Sequence, residues 1–491
     1  MATHRYADGY RALKDIDPAR MVAYTVLEQV NEEGAYANLV LPKALRQARE
    51  DYRGFDARDA AFASELVYGT LRHQGTWDWV IARHLSRPLA DIDPPVRNLL
   101  RLGVHQMLAM RVPDHAAIAS TVDLARHLVT EGPSKMVNAV LRSIQRSGED
   151  ALRDAMAELP HDERLAIEYA HPEWMVRAFR DALEGHGYNA GELEELLSAD
   201  NVAPIVTLVA RPGLIHPADL ADEAEDILHT RVAPGDVSEV AVLIESGDPA
   251  LLPSVRQGLA GAQDEGSQLA AFVAAAAPLE GSDERWLDLC AGPGGKATLL
   301  AAIGAERGAT LLANEMHSHR ARLVERASRA LDNVTVISGD GRTLGGPNTS
   351  YPLASYDRVI VDVPCTGMGS MRRRPESRWR KDAENLAELL PLQRDLLERA
   401  CALTRPGGII TYVTCSPHLA ETRDQVEALL DAGEVELLDT VQIAQECAPL
   451  PLDIPQDAGR VKGGGEGRTL QLWQHRHGTD LMFMAAFRKK P

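Results

Sequence analysis

The sequence predicts a multidomain protein: an all-α bundle at the N-terminus, a small α+β subdomain in the middle and a doubly wound α/β sheet at the C-terminus. Three observations predict this. Residues 1–150 carry only helical periodicity, the following stretch mixes acidic helices with two strand-like runs, and from residue 286 strands and helices alternate. A chain of 491 residues is long enough for two to four domains, each with its own core.

Residues 1–18 are mixed and polar and read as a flexible tail. Over 19–150, apolar residues recur at spacings of three and four in 20–31, 59–72, 76–85, 94–110, 115–129 and 134–146. Asp93-Pro94-Pro95, Val112-Pro113 and Gly132-Pro133 break the pattern. Residues 151–262 hold acidic helices, then strands at 203–209 and 239–244 around a helix at 217–228. Residues 263–491 form the last domain. Its strands are expected at 285–290, 310–313, 334–338, 358–363 and 408–414, its helices at 296–303, 317–331, 382–404 and 419–431, and two late strands at 435–439 and 481–487. Such alternation places ligands at the carboxyl ends of the strands.

Composition excludes several classes. A quarter of the residues are charged and 45% are hydrophobic, which is not the composition of a disordered chain. No apolar run approaches the roughly 20 residues of a membrane span, and the start has no apolar signal core, so a cytoplasmic protein is expected. Five scattered cysteines argue for a reducing compartment. With no CxxC and no HExxH, no metal site is expected. The net charge of −19 is concentrated in residues 151–285, with 8 basic and 26 acidic residues, whereas 1–150 balance at 19 and 19. The total is therefore no veto on nucleic-acid binding, which depends on local patches. One patch is Met371–Lys381, MRRRPESRWRK, with six cations and one carboxylate. Pro375 and Trp379 interrupt its charges, so Arg372, Arg373, Arg374, Arg378 and Trp379 are the candidate phosphate-gripping, base-stacking residues.

Three blocks carry the chemistry. In the first, Asp288 ends a strand and Cys290, Ala291, Gly292, Pro293, Gly294, Gly295 and Lys296 form a glycine-rich turn into a helix. Glycines let backbone approach a ligand, and the helix start offers free N–H groups to a carboxylate. Glu315, Asp340 and Asp362 end the next three strands, a set that suits a nucleoside cofactor with an amino-acid tail. The second block, Asp362-Val-Pro-Cys365-Thr-Gly-Met-Gly, and the third, Thr414-Cys415-Ser-Pro, each place a cysteine just past a strand of one sheet. A nucleophilic thiolate needs a setting that lowers its pKa, and the basic stretch after Cys365 is one candidate source.

These blocks resemble the Sun/Fmu (RsmB-like) ribosomal RNA cytosine-C5 methyltransferases: WLDLCAGPGGKATLLAA, VDVPCTGMGSMRRRPESRW and YVTCSPHLAE, with the lead-in AQDEGSQL at 262–269. Residues 60–145 resemble the NusB-like RNA-binding domain fused to the front of such enzymes, and HPEWMVRAF at 171–179 the segment that joins the two parts. The resemblance implies a NusB-like bundle and a Rossmann-like class I methyltransferase domain. It implies S-adenosyl-L-methionine as cofactor, with Cys290–Lys296 cradling its methionine part, Glu315 the ribose and Asp340 the adenine side. It further implies Cys415 as nucleophile, Cys365 as the group assisting release of the methylated base, and Asp362 as the contact to the cytosine near the sulfonium. The implied partner is small-subunit (16S) ribosomal RNA, bound by a monomer. The chain departs from the family at Thr366, where serine is usual; at Glu315, where aspartate is common; at Glu421-Thr422-Arg423, where Glu-Asn-Glu is usual; and in GTDLMFMAAFRK and TLVARPG.

The chemistry explains the pairing. Carbon 5 of cytosine is a poor nucleophile until a thiolate adds at carbon 6, and an acid at the ring nitrogen stabilises the charge that develops. Both cysteines must reach one unpaired or flipped-out base, so they must lie at neighbouring strand ends. Two other readings stand beside this one: a DNA-type cytosine methyltransferase with Cys365 as nucleophile, and a binding module on an inactive methyltransferase fold.

Overall fold

The structure, a computed structural model, describes residues 16–346 and 350–491. The expected tail at 1–18 lies outside the described residues as far as residue 15. Pro18 already opens the first helix, with the Asp17 carboxylate capping Arg20 N–H at 2.8 Å. The chain forms two compact units, one built from the residues up to Arg177 together with Met371–Arg380, the other from Ala178–Ser370 and Lys381–Pro491.

The first unit is all-helical, with helices Pro18–Glu32, Ala37–Asp51, Ala57–Arg72, Gln74–Ala82, Pro94–Leu108, Asp114–Leu128, Glu131–Ala157 and His161–Glu168. The helix Ala37–Asp51, which carries Pro42, has no counterpart in the periodicity reading. The helix expected to end at 146 runs on to Ala157 through a kink at Gly148, where φ is +77°. Residues such as Leu27, Leu66, Ile81, Leu99, Leu100 and Leu141 fill the core.

Residues 371–380 belong to this unit because their charges terminate its helices. Glu376 accepts the N–H of Ala37 at 3.0 Å, at the start of a helix whose own cap residue, Tyr36, makes no side-chain capping bond. Arg378 donates to Arg72 O at 3.0 Å, at the end of helix Ala57–Arg72, and to Ala170 O at 3.2 Å. Arg380 reaches Val30 O and Ala35 O, both at 2.6 Å, where helix Pro18–Glu32 ends. An anion at a helix start and cations at helix ends complement the backbone dipoles.

The second unit holds two sheets. The smaller comprises β1 (Val206–Ala210), β2 (Val232–Pro234), β3 (Ala241–Ile244) and β4 (Ala260–Ala262), antiparallel in the order β2-β3-β1-β4, with helix Pro217–Leu228 packed on it. The larger comprises β5 (Arg285–Asp288), β6 (Thr310–Glu315), β7 (Val334–Ser338), β8 (Tyr356–Asp362), β9 (Thr404–Thr414), β10 (Val435–Leu437), β11 (Leu470–Leu472) and β12 (Met482–Lys489). Its order is β10-β12-β9-β8-β5-β6-β7, with β11 paired to β12. Strands β5 to β9 are parallel and β12 runs antiparallel to β9. Alternate residues feed opposite cores. Ile360, Ile409 and Val413 face a cluster with Leu269 and Leu299, while Val359, Val361 and Ile410 face one with Leu396 and Leu397. From β5 the chain winds outward through β6 and β7, then returns to the other side of β5 as β8 and β9. The order therefore reverses between β5 and β8, and a crevice opens beyond their carboxyl ends.

Candidate active site

Every strand-end residue of the sequence reading converges on this crevice or on its rim. Asp288 closes β5, Glu315 closes β6, Asp340 follows β7, Asp362 closes β8 and Cys415 follows β9. The register pairs Asp288 with Ile360 and Asp362 with Val413, so the loops after β5, β8 and β9 start at nearly one level.

The turn after β5 is a backbone cradle. Ala291 N–H bonds Asn314 O at 2.8 Å, and Cys290 N–H bonds the Asp288 carboxylate at 3.1 Å. Gly292 and Gly294 have φ of +57° and +104°, and a Cβ at Gly294 would stand 3.1 Å from Val324 Cα, so glycine is required there. Pro293 is exposed. Helix Gly295–Glu306 starts from this turn with the N–H groups of its first turn lacking intrahelical partners. Beside Gly295, the Gln263 Oε1 atom is buried without a hydrogen bond. Free N–H groups, an unpartnered acceptor and strand-end acids fit the methionine part and ribose of S-adenosylmethionine. Glu315 is buried, accepts His317 N–H at 2.9 Å and lies 3.7 Å from Arg320. Asp340 is more open. It caps the turn Gly341–Thr343 and pairs with Arg342 at 2.7 Å, which holds its carboxyl below the usual range.

The two cysteines expected to react follow β8 and β9. Cys365 Sγ and Cys415 Sγ are 3.3 Å apart, and both side chains are partly accessible. Lys296 Nζ donates to Asp362 Oδ2 at 3.0 Å, with the lysine nearly buried and the carboxylate about one-third exposed. Burial opposes the lysine charge, but Asp362 outweighs it and holds the ammonium above its ordinary pKa. Asp288, fully buried and next to Asp362, is pushed up to about 7, mainly by burial.

The five cysteines separate sharply. Cys415 is lowered, first by the hydrogen bond from Cys365 and also by Lys296, against the opposing effects of burial, Asp362 and Asp480. Cys365 is raised well above the ordinary thiol value by that same bond, by burial and by the charge of Glu421. Burial raises Cys290 well above it, and Cys401 and Cys447 to about 11. Lys296, from the helix that follows the glycine-rich turn, is the cation that lowers Cys415.

The basic stretch after Cys365 divides by environment. Arg378 is fully buried and Arg372 nearly so, whereas Arg373, Arg374 and Trp379 are exposed. Arg374 and Arg380 both lie over the Tyr36 ring, at 5.1 and 5.0 Å. Gly75 makes room for Trp379, whose ring a Cβ would approach to 2.4 Å.

Sequence reasoning noted Thr366 and Glu421 without a contact for either and did not find Gln393; together these three hold the two cysteine loops. Glu421 Oε1 accepts Thr366 N–H at 2.8 Å and Gln393 Nε2 at 3.0 Å, and its Oε2 accepts the Thr366 hydroxyl at 2.5 Å. Gln393 also donates to Pro364 O at 2.8 Å, and Gly369 N–H to Cys415 O at 2.8 Å. In the sequence Gln393 stands beside Arg394 and Asp395, so nothing there marks it as buried. Among the described residues no group of His, Cys, Asp or Glu is disposed to hold a metal ion, and no helix is long and apolar enough to cross a membrane.

A doubly wound sheet with a glycine cradle after its first strand and acids at the following strand ends defines a class I methyltransferase domain, here in one chain with a NusB-type helical module. Comparisons with known proteins carry this further. The family described as 16S rRNA methyltransferase RsmB/F matches residues 276–488, and the NusB family matches residues 17–146. The chain is 45% identical to Rv1407 of Mycobacterium tuberculosis over 482 residues, 97% of each chain. It is 31% identical over 440 residues to ribosomal RNA small subunit methyltransferase B of Erwinia tasmaniensis, covering 88% of this chain and 95% of that protein. The crystal structure of PH0851 shares the fold, with a TM-score of 0.77 at 21% identity over 96% of this chain and 98% of that one. The chain belongs to the RsmB/F family of 16S rRNA methyltransferases.

Proposed function

We propose that this chain methylates carbon 5 of a cytosine in small-subunit ribosomal RNA, through a covalent bond between Cys415 and the base. The observation that carries the proposal is the polarised thiol pair: of five cysteines only Cys415 is lowered, and it lies 3.3 Å from a second thiol. Two relatives named for methylation of small-subunit ribosomal RNA, from Erwinia tasmaniensis and Salmonella newport, support the choice of substrate.

S-adenosylmethionine, held by Cys290–Lys296 and Glu315, supplies an electrophilic methyl group. The chain's own residues do the rest. The Cys415 thiolate adds to carbon 6 of the base, and the electron pair of the 5,6 double bond makes carbon 5 nucleophilic. Asp362, the accessible member of its ion pair, contacts the ring nitrogen, with the proton on Lys296 Nζ 3.0 Å behind it to offset the charge that develops. After methylation a base removes the carbon 5 proton, the double bond re-forms and the Cys415 thiolate departs. Cys365 assists this release. Arg373, Arg374 and Trp379 offer phosphate and stacking contacts to the RNA.

The test is methylation of deproteinised small-subunit RNA with labelled cofactor by wild type, Cys415→Ala and Cys365→Ala, with the labelled nucleoside identified. Label in 5-methylcytosine, lost in Cys415→Ala while cofactor binding persists, supports the reading. Full activity of Cys415→Ala refutes it. Cys365→Ala is expected to transfer one methyl group and remain attached to RNA on a denaturing gel.

A further inference from the structure

Catalysis through a cysteine pair requires the two thiols to differ, one as thiolate and one as proton carrier. Cys365 and Cys415 follow adjacent parallel strands at nearly one level, and the sheet alone would make them near equivalents. What distinguishes them must lie in what surrounds each loop. Lys296, Asp362 and Asp480 face Cys415, while the ionised group facing Cys365, besides its partner thiol, is Glu421.

Glu421 is unusual in its own right. It is fully buried in the short 3-10 turn Leu419–Glu421, and its carboxylate takes three hydrogen bonds, all from neutral donors. Its surroundings add His418, the residue that caps this same turn, and the Tyr412 hydroxyl, which donates to the Glu421 backbone carbonyl at 2.6 Å. A buried carboxylate without a bonded cation is costly, and a glutamine of the same shape would avoid that cost. The donors show where its influence is directed. One residue past Cys365, both the N–H and the hydroxyl of Thr366 end on Glu421. One residue before it, Pro364 O is held by Gln393, which itself donates to Glu421. The Thr366 hydroxyl also lies 3.2 Å from Ser416 Oγ, next to Cys415, so a single network spans both loops.

We propose that Glu421 is a positioning residue: it fixes the loop carrying Cys365 and, through its charge, keeps the shared proton on Cys365 and the thiolate on Cys415. The inference deepens the proposed cytosine chemistry and rests on it for the roles of the two thiols. The proton assignment itself can be read without RNA.

The experiment is competitive alkylation of the full chain with iodoacetamide across pH 6–9, with peptide mapping of Cys365 and Cys415, in wild type, Glu421→Gln, Thr366→Val and Thr366→Ser. Wild type is expected to alkylate first at Cys415. Glu421→Gln is expected to reduce the Cys415-over-Cys365 preference at least threefold, since lifting a neighbouring charge favours the thiolate of Cys365. Thr366→Val keeps shape and the Glu421 charge but frees the Cys365 loop, loosening the 3.3 Å thiol contact that lowers Cys415, and is expected to reduce the preference even if Glu421→Gln does not fold. Thr366→Ser, which keeps the donor, is expected to restore the wild-type ratio. With RNA and cofactor, Glu421→Gln is expected to accumulate the denaturation-resistant adduct and to lose kcat with an unchanged KM for RNA. A folded Glu421→Gln with the wild-type alkylation ratio, or a Thr366→Val with that ratio, overturns the assignment. If the ratio moves but Cys365→Ala forms no adduct, the proton assignment stands and the cytosine reading fails.

Discussion

Asp288 gives the sheet a pH dependence of unusual sign. Its side chain is buried at the end of β5, with Asp362 close by, and ionises at about 7 instead of the 3.8 of an unperturbed aspartate. A carboxyl raised on folding binds more protons in the native than in the unfolded state at every pH between those values. Native stability therefore falls as pH rises through that window, and the penalty is complete above 7. At about 1.4 kcal/mol per unit, the whole window corresponds to something on the order of 4 kcal/mol, and the part between pH 5 and 8 to about 3 kcal/mol. Asp288→Asn removes the titration while its carboxamide oxygen can still accept Cys290 N–H, which now bonds Asp288 at 3.1 Å. The variant is expected to match wild type near pH 4 and to exceed it by about 4 kcal/mol at pH 8. Hydrogen exchange localises the readout. The amide of Leu289, bonded to Ile360 O across β5 and β8, reports opening of this part of the sheet once intrinsic rates are corrected for pH. Parallel profiles for wild type and variant between pH 5 and 8 would refute the argument, because no other consequence of the substitution tracks pH with that sign.

Other consequences follow from the same contacts. Arg378→Met leaves the carbonyls of Arg72 and Ala170 without their charged donor and is expected to destabilise the helical unit by about 3–5 kcal/mol in denaturant unfolding; unchanged stability with weakened RNA binding would instead make Arg378 an RNA contact. Arg373→Glu with Arg374→Glu is expected to leave stability unchanged and to flatten the salt dependence of RNA binding by about one or two in log–log slope. Lys296→Met is expected to move the alkylation midpoint of Cys415 upward, since it removes the cation that favours the thiolate; an unmoved midpoint would assign the polarisation to Cys365 alone. Gly294→Ala forces a side chain into left-handed backbone 3.1 Å from Val324 Cα and is expected to cost about 1–3 kcal/mol and to lower cofactor affinity in calorimetry.

Much of the fold was legible because its signals are local. The helix at Pro217–Leu228 and the strand Val334–Ser338 fall at the predicted bounds, as periodicity and flanking Pro, His and Gly residues dictate. The strand-end acids and both cysteine loops were legible for a related reason: in a doubly wound sheet, chain order fixes which ends are adjacent. The omissions share a different cause. Strands Val232–Pro234, Ala260–Ala262 and Leu470–Leu472 are three residues long, too short for alternation to register, and exist because a neighbour pairs with them. Helix Ala37–Asp51 was hidden by Pro42, and helix Glu265–Ala276 by its run of alanines, which has no polar face to set a period. The run at Met371–Lys381 shows the limit most clearly. As sequence it is one cationic surface; in the structure Arg378 and Arg380 terminate helices more than 300 residues earlier in the chain, and composition cannot distinguish a buried guanidinium from an exposed one.

The candidate site shows the same division between what chain order dictates and what only packing supplies. Adjacent strands β8 and β9 bring Cys365 and Cys415 together, and that follows from topology. Topology treats the two loops alike, however, and two equivalent thiols sharing one proton would leave neither as a dependable nucleophile. Equivalence is broken by two charges that arrive from elsewhere. Lys296 comes from the helix that opens after the glycine-rich turn, and Glu421 from a short turn bonded to the Cys365 loop, 125 residues after Lys296. Neither charge is needed to build the sheet, and Glu421, buried among neutral donors, burdens it. Because Lys296 stands in the first turn of the helix that follows the glycine-rich turn, cofactor bound there as proposed would alter the same field that lowers Cys415. On the proposed roles, nucleophile and methyl donor are coupled through one ammonium group, 3.0 Å from Asp362 and electrostatically in reach of Cys415.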